Sequence, residues 1–107
     1  MSRIILKSKI RNVFVTDANI KYEGSITIDS DWLHAADIWP YEQVHVLDVS
    51  NGKRFITYVI AGIAGAPDVC VNGAAALLVD VGDKLIILAY ETSEVRKNPK
   101  IIDPAVL

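Results

Sequence analysis

The 107-residue sequence predicts a small, mainly β domain closed into a barrel, and three observations carry that expectation. Strand-period alternation recurs in six short stretches. Asn51-Gly52 joins two of them as a hairpin. A short repeat relates the two halves of the chain.

The first stretch, RNVFVTDA (residues 11–18), alternates apolar and polar positions and is β-branched, as a half-buried strand requires. YEGSITID (22–29) alternates again after Gly24. SDWLHAADI (30–38) breaks the pattern: capping residues lead into Leu33, Ala36 and Asp37 at one-turn spacing, so a short helix ends before Pro40. QVHVLDVS (43–50) and KRFITYVIAG (53–62) flank Asn51-Gly52, a dipeptide that accepts positive φ at both positions of a tight turn. DVCV (68–71) and DKLIILAYET (83–92) complete six strands, with one or two helical turns over GAAALLV (73–79) between them. RKNPKIIDPAVL has two prolines and no period, so residues 93–107 are expected as an irregular tail after a single domain spanning 1–92.

IWPYEQVHVL (38–47) aligns without gaps with VDVGDKLIIL (79–88). Each copy follows a short alanine-containing helix, turns through Pro40 or Gly82, presents Glu42 or Asp83, and enters an apolar strand. Two such units imply pseudo-twofold halves of one closed barrel, and closure removes the exposed edges that many strands create.

Hydrophobic residues make up 51% of the chain. A domain this small cannot hide all of that area alone, so part of it is expected between subunits. The apolar runs fall short of the ~20 residues of a membrane span. The N-terminus lacks the apolar core of a secretion signal, so a cytoplasmic address is expected. A net charge of -2 with both signs interspersed leaves no footprint for nucleic acid. Cys70, the single cysteine, reads as a small buried hydrophobe. His34 and His45 are far apart and form no metal-ligand set, and Trp32 and Trp39 read as core or interface anchors.

VTDANIKYEGSITID is where generic reading stops. It resembles the processing segment of the pyruvoyl-dependent aspartate 1-decarboxylases, and NGKRFITYVI (51–60) and VNGAAA (71–76) are similar to that family's two other signature stretches, in the same order and spacing. The resemblance covers roughly residues 3–92. It implies a six-stranded double-psi β-barrel assembled as a homotetramer. It also implies conversion of L-aspartate to β-alanine and CO2, feeding pantothenate and coenzyme A synthesis.

The residues fit that chemistry. Attack by the Ser25 hydroxyl on the Gly24 carbonyl converts amide to ester, and glycine's conformational freedom helps bring the two together. β-Elimination frees a chain ending at Gly24, and hydrolysis of the dehydroalanine leaves a pyruvoyl group at residue 25. The oxyanion formed on attack needs donors, and the resemblance nominates Thr57 and Asn72. A pyruvoyl ketone condenses with an amine as a Schiff base and accepts the electrons left by CO2, so neither metal nor pyridoxal phosphate is implied. Tyr58 resembles the family's proton donor.

Only the α-carboxylate of aspartate leaves, and gripping it tightly would stabilise the ground state. Cations are therefore expected on the retained side-chain carboxylate: Arg54 bidentately and Lys9 as a point charge, both matching the family's basic positions. Gly73, Ala74 and Ala75 follow Asn72 at an expected helix start, where free N–H groups and small side chains admit a carboxylate.

The chain departs from the family at Arg11, commonly histidine there, and at Leu47, near which an aromatic is often found. It is also short after residue 92. Arg11 and the short tail keep open a non-catalytic barrel that never processes and serves as a binding or assembly module. A pyruvoyl decarboxylase for another amino acid is the other alternative. The residues alone leave open whether maturation is spontaneous or assisted by another protein.

Overall fold

The structure, a computed structural model, describes residues 1–106. Among these, eight strands form one sheet: β1 (Arg3–Phe14), β2 (Asp17–Asn19), β3 (Ser25–Asp29), β4 (Gln43–Asp48), β5 (Arg54–Gly62), β6 (Val69–Asn72), β7 (Lys84–Ser93) and β8 (Lys100–Ile102). Their spatial order is β2-β6-β3-β5-β4-β7-β1-β8. Pairing is antiparallel except for β2–β6, β3–β5 and β1–β8.

β2 lies at one end of this order and β1 next to the other, inside the edge strand β8, yet the two are joined in the chain by Val15 and Thr16. The sheet is thereby closed on itself, with Thr16 donating its N–H to Val69 O at 2.9 Å and Val69 N–H returning to Thr16 Oγ1 at 2.9 Å. Period-two alternation, reset in β1 by an irregularity between Ile10 and Val13, sends Ile10, Val13, Ile26, Ile28, Val44, Val46, Val59, Val69, Val71, Leu85 and Ile87 inward, all essentially without exposure. The six longer strands carry the expected double-psi barrel.

Local expectations were met unevenly. The helix α1 spans Ser30–Ala35, shorter than 30–38. Asp29 caps it by accepting Asp31 N–H, and Asp37 at φ 56 ends it. Ile38 N–H then reaches Leu33 O and Asp37 N–H reaches His34 O, the bond pattern of a Schellman stop. The β4–β5 hairpin forms, but not with a two-residue turn. Positive φ occurs at Gly52 alone, because Asp48 Oδ1 accepts Ser50 and Asn51 N–H and holds a longer loop. GAAALLV becomes a 3₁₀ helix over Gly73–Leu78.

The tail expected to be irregular is a correction. Residues 100–102 add to β1 as a parallel edge strand, and a 3₁₀ turn follows over Pro104–Val106. Asp103 fastens it, accepting Asn12 Nδ2 at 2.6 Å and pairing with Arg11 at 3.4 Å. Partial desolvation pushes the Asp103 carboxyl up, but bonds from Ala105 N–H and Asn12 and the Arg11 charge outweigh it and hold it low. Period alone missed this strand because an edge strand of three residues has too little pattern to read. Leu107, the last residue of the expected tail, lies outside the described residues.

The repeat is reproduced bond by bond. Glu42 N–H donates to Trp39 O at 3.0 Å, and Asp83 N–H to Asp80 O at 3.0 Å. Trp39 N–H reaches Glu42 Oε1, and Asp80 N–H reaches Asp83 Oδ2. Tyr41 N–H donates to Val59 O and Gly82 N–H to Val15 O, at 2.7 and 2.8 Å. Both turns follow the type II pattern, which needs positive φ at its third residue. Gly82 supplies φ 94 freely, whereas Tyr41 sits at φ 69, where an L side chain costs about 1–2 kcal/mol.

The acids of the repeat differ in their partners. Glu42 accepts Lys7 Nζ at 2.6 Å. Asp83 faces Asp48, whose buried Oδ2 has no partner among N–H and O–H donors of the described residues. Two ionised carboxylates cannot bond to each other, so a bond between Asp48 Oδ2 and Asp83 needs a proton on one of them, and burial favours Asp48 as its carrier. Burial, then the bond to Asp83, pushes the Asp48 carboxyl above its ordinary 3.8. Asp83 is held low by the bond from Asp48 and by Asp80 N–H.

The raised Asp48 value means its contribution is intact at low pH and is lost as pH rises through it, leaving a buried charge. Asp48→Asn keeps a donor toward Asp83 without that charge. Thermal melts should show the variant gaining stability over the parent as pH rises above the ordinary carboxylate value of 3.8. A margin that is absent or independent of pH would contradict the shared proton.

Candidate functional site

The antiparallel register of β3 and β6 sets Ser25 opposite Asn72 and Thr27 opposite Cys70. All four side chains share one face, so two short strands create a polar patch from residues far apart in sequence. Ser25 is 1% exposed. Its Oγ accepts Asn72 Nδ2 at 3.1 Å and donates to Glu23 O at 3.4 Å, which turns the hydroxyl back along the chain toward the Gly24 peptide. Asn72 Nδ2 also lies 3.4 Å from Thr27 Oγ1. The Asn72 side chain is thus committed to Ser25 and leaves the 3₁₀ helix behind it uncapped.

Glycine matters at 73 more than at 24. Gly24 keeps an ordinary φ, and a Cβ there would meet nothing within 4 Å. Gly73 has φ 73, and a Cβ on it would fall 2.5 Å from Gly24 Cα. The conformational freedom expected at Gly24 is therefore used by its neighbour, whose bare backbone lets the two segments touch.

Two cavities flank the Gly24–Ser25 bond. One of ≈ 300 Å³ is lined by Ser25, Thr27, Tyr58, Asn72 and Cys70, with the acidic residues Asp17 and Glu23 also in its wall. The other, ≈ 550 Å³ and mostly apolar, is lined by Gly24, Thr57, Tyr58, Ala74 and Ala75 among others. Tyr58 belongs to both. Thus Gly24, Ser25, Thr57, Tyr58, Asn72, Gly73, Ala74 and Ala75 are brought together.

Lys9 and Arg54 are not. Arg54 shares the outer face of β5 with Tyr58, four residues or about 13 Å along the strand. Lys9 lies in register with Leu88 of β7, His45 of β4 and Ile56 of β5, three strand spacings or about 14 Å from Ile56. Between the two cations runs an apolar stretch, with Leu47 and Leu88 half-buried and Ile56 58% exposed.

Sequence reading missed Thr27, Cys70 and Tyr41. The alternation of SIT and VCVN places Thr27 with Ser25 and Cys70 with Asn72, but only the register sets them opposite each other. Cys70 is a correction: it is half-buried and lines the Ser25 cavity, with burial, then Asp17 and Asp68, pushing its thiol up. Tyr41 packs its ring on Tyr58, centroids 6.2 Å apart. Trp32 packs on the core, whereas Trp39 is exposed. His45 meets Tyr90 edge-on. Among the described residues no three His, Cys, Asp or Glu side chains converge as a metal set, and no helix is long and apolar enough to cross a membrane.

Comparison with known proteins adds a family to this geometry. The family model described as aspartate decarboxylase matches residues 1–107. The aspartate 1-decarboxylase of Thermoanaerobacter pseudethanolicus is 51% identical over 106 residues, covering 95% of this chain and 91% of that protein. That of Dehalococcoides mccartyi (strain CBDB1) is 58% identical over 86 residues, covering 80% and 69%. Among solved structures, the rationally designed mkDPBB_sym_86 protein, a double-psi β-barrel, superposes with a TM-score of 0.54 at 21% identity, covering 78% of this chain and 91% of its own.

The Gly24–Gly73 contact predicts a measurable cost. Gly73→Ala forces a side chain into backbone at positive φ, and should destabilise the fold by about 1–3 kcal/mol in urea denaturation. A cost within error of zero would show that the two segments separate freely.

Proposed function

The chain belongs to the aspartate decarboxylase family and removes the α-carboxylate of L-aspartate to give β-alanine, and we propose that it does so with a pyruvoyl group made from its own Ser25. The observation that carries this reading is the buried Ser25 hydroxyl, fixed between Asn72 Nδ2 and Glu23 O beside the Gly24 peptide. Ser25 Oγ attacks the Gly24 carbonyl, the amide becomes an ester, and the nitrogen of Ser25 takes a proton. Loss of the Ser25 α-proton expels the Gly24 carboxylate, ending one chain at residue 24. Water then releases ammonia from residue 25 of the 25–107 chain. Asn72 holds the nucleophile, and Thr57, on the Gly24 side, is the candidate donor to the oxyanion.

The residues present fit such a group. The cavity beside Ser25 is walled by Thr27, Tyr58 and Asn72, so the ketone that would replace the Ser25 nitrogen, with a methyl where the hydroxyl stood, would have an amide donor and a phenol in its surroundings. A pyruvoyl group supplies an electrophilic carbonyl for the substrate amine and takes up the electrons that departing CO2 leaves behind. Tyr58, reaching both cavities, is placed to return a proton to the substrate α-carbon. Gly73, Ala74 and Ala75 keep the Gly24 side narrow in side chain, so a small substrate can lie close to backbone.

Charge points to assembly. The cavity beside Ser25 has acidic residues in its wall, which repel an anionic substrate until cations are added. We place Lys9 and Arg54 in that role through a homotetramer, in which a second copy covers the apolar outer face and brings one subunit's cations toward another's Ser25. The grip falls on the retained carboxylate, leaving the α-carboxylate free to depart.

Intact-mass spectrometry under denaturing conditions tests processing. The parent should yield fragments 1–24 and 25–107, the latter without a free amine, and Ser25→Ala should stay whole; a cut Ser25→Ala chain would refute the mechanism. Cleavage of purified parent with no added protein would place maturation in the chain itself. Tyr58→Phe should still cut but lose at least about a hundredfold in kcat, and normal turnover would remove Tyr58 from its role. In an amino-acid panel, Arg54→Ala should lose the preference for aspartate over uncharged substrates.

A further inference from the structure

The two type II turns of the repeat differ in the residue at positive φ: Gly82 in one, Tyr41 in the other. Their backbone bonds match, so the turn itself does not need a tyrosine. Pro40 and the Glu42–Trp39 bond set this turn, and glycine is the residue that fits its third position without strain. Nor does burial explain the choice, since Tyr41 is 77% exposed. What the strained backbone delivers is the ring, laid against Tyr58 at a centroid separation of 6.2 Å and a tilt of 35°.

From this we infer that Tyr41 is a positioning residue for Tyr58, a reading that rests on the role proposed for Tyr58 above. Two bonds tie the residues' backbones together: Tyr41 N–H donates to Val59 O at 2.7 Å, and Val59 N–H donates to Glu42 O at 3.1 Å. The Tyr41 ring is therefore carried on the strand that carries Tyr58. Tyr58 lines both cavities and stands on the outer face of β5, where a half-buried ring has several side-chain orientations open to it. A second ring packed on one side removes those that would run into it. Strain retained at one residue to fix the side chain of another is a recurrent property of active sites.

The test uses the processed, assembled enzyme. Tyr41→Gly and Tyr41→Asn both tolerate positive φ, so both should fold with unchanged or higher melting temperature and cut normally between residues 24 and 25. Each should lose about ten- to a hundredfold in kcat with little change in KM, because misplacement of a proton donor acts on the chemical step. Tyr41→Phe, which keeps the ring, should restore most of kcat. Three results would overturn the inference: full kcat in Tyr41→Gly, a loss in Tyr41→Phe equal to that in Tyr41→Gly, or dissociation of the assembly as the cause of the loss, read by native mass spectrometry. Tyr58→Phe measured alongside separates the two readings. If it is fully active, the role of Tyr58 fails; if it is inactive while Tyr41→Gly is fully active, only the inference about Tyr41 fails.

Discussion

Everything around Ser25 depends on how the sheet is closed. Val15 and Thr16 carry the chain from β1, next to one end of the strand order, to β2 at the other, and Thr16 locks there by exchanging bonds with Val69 through both its backbone and its hydroxyl. That exchange fixes where β6 lies, and β6 fixes Asn72. β3 then enters the slot beside β6, and its first residue is Ser25. Closure also leaves β3 and β6 with partners on both edges, so their register cannot slip without turning Ile26, Ile28, Val69 and Val71 out of the core.

The close approach of Gly24 and Gly73 is a second consequence of that packing. A serine hydroxyl and the neighbouring carbonyl gain nothing from being adjacent in sequence, since every serine has such a neighbour. What distinguishes Ser25 is that its hydroxyl is out of water, has an amide donor at 3.1 Å, and sits between two cavities. Removing water strengthens each polar contact there and raises the cost of leaving any one unmade. Asn72 thereby gives up its helix-capping role for a bond to the nucleophile.

The pseudo-twofold repeat shows one backbone solution carrying two chemistries. Glu42 and Asp83 each close their own turn and then face a second partner, Lys7 for Glu42 and the Asp48 carboxyl, pushed up by burial, for Asp83. The Gly82 turn is unstrained and lines neither cavity at the Gly24–Ser25 bond. The Tyr41 turn is strained and stands beside Tyr58. The asymmetry lies in the half that touches the site, as expected where function sets the residue and the surrounding backbone supplies the restraint.

Much was legible in the residues because alternation is a local signal. Five strands, the 51–52 hairpin, the helix after Asp29, the repeat and the grouping of Ser25, Thr57, Tyr58, Asn72 and Gly73 all follow from patterns a few residues long, or from signature stretches that share a family's order, whereas the single strand expected over 11–18 splits at Val15 and Thr16 between β1, which begins at Arg3, and β2. β8 escaped because three residues carry no period, and the hairpin loop was misjudged because Asp48 bonds forward to Ser50 and Asn51. Register belongs to a different level: the pairing of Ser25 with Asn72 and Thr27 with Cys70 joins residues more than forty positions apart, and no local pattern encodes it. The same holds for the contact of Gly73 with Gly24, the ring of Tyr41 on Tyr58, and the distance that keeps Lys9 and Arg54 from Ser25 within one chain. The sequence by itself determined the class of fold and the kind of chemistry, since both rest on residue type and spacing. Only the tertiary structure decided which residues meet, because a closed barrel fixes its contacts through long-range register.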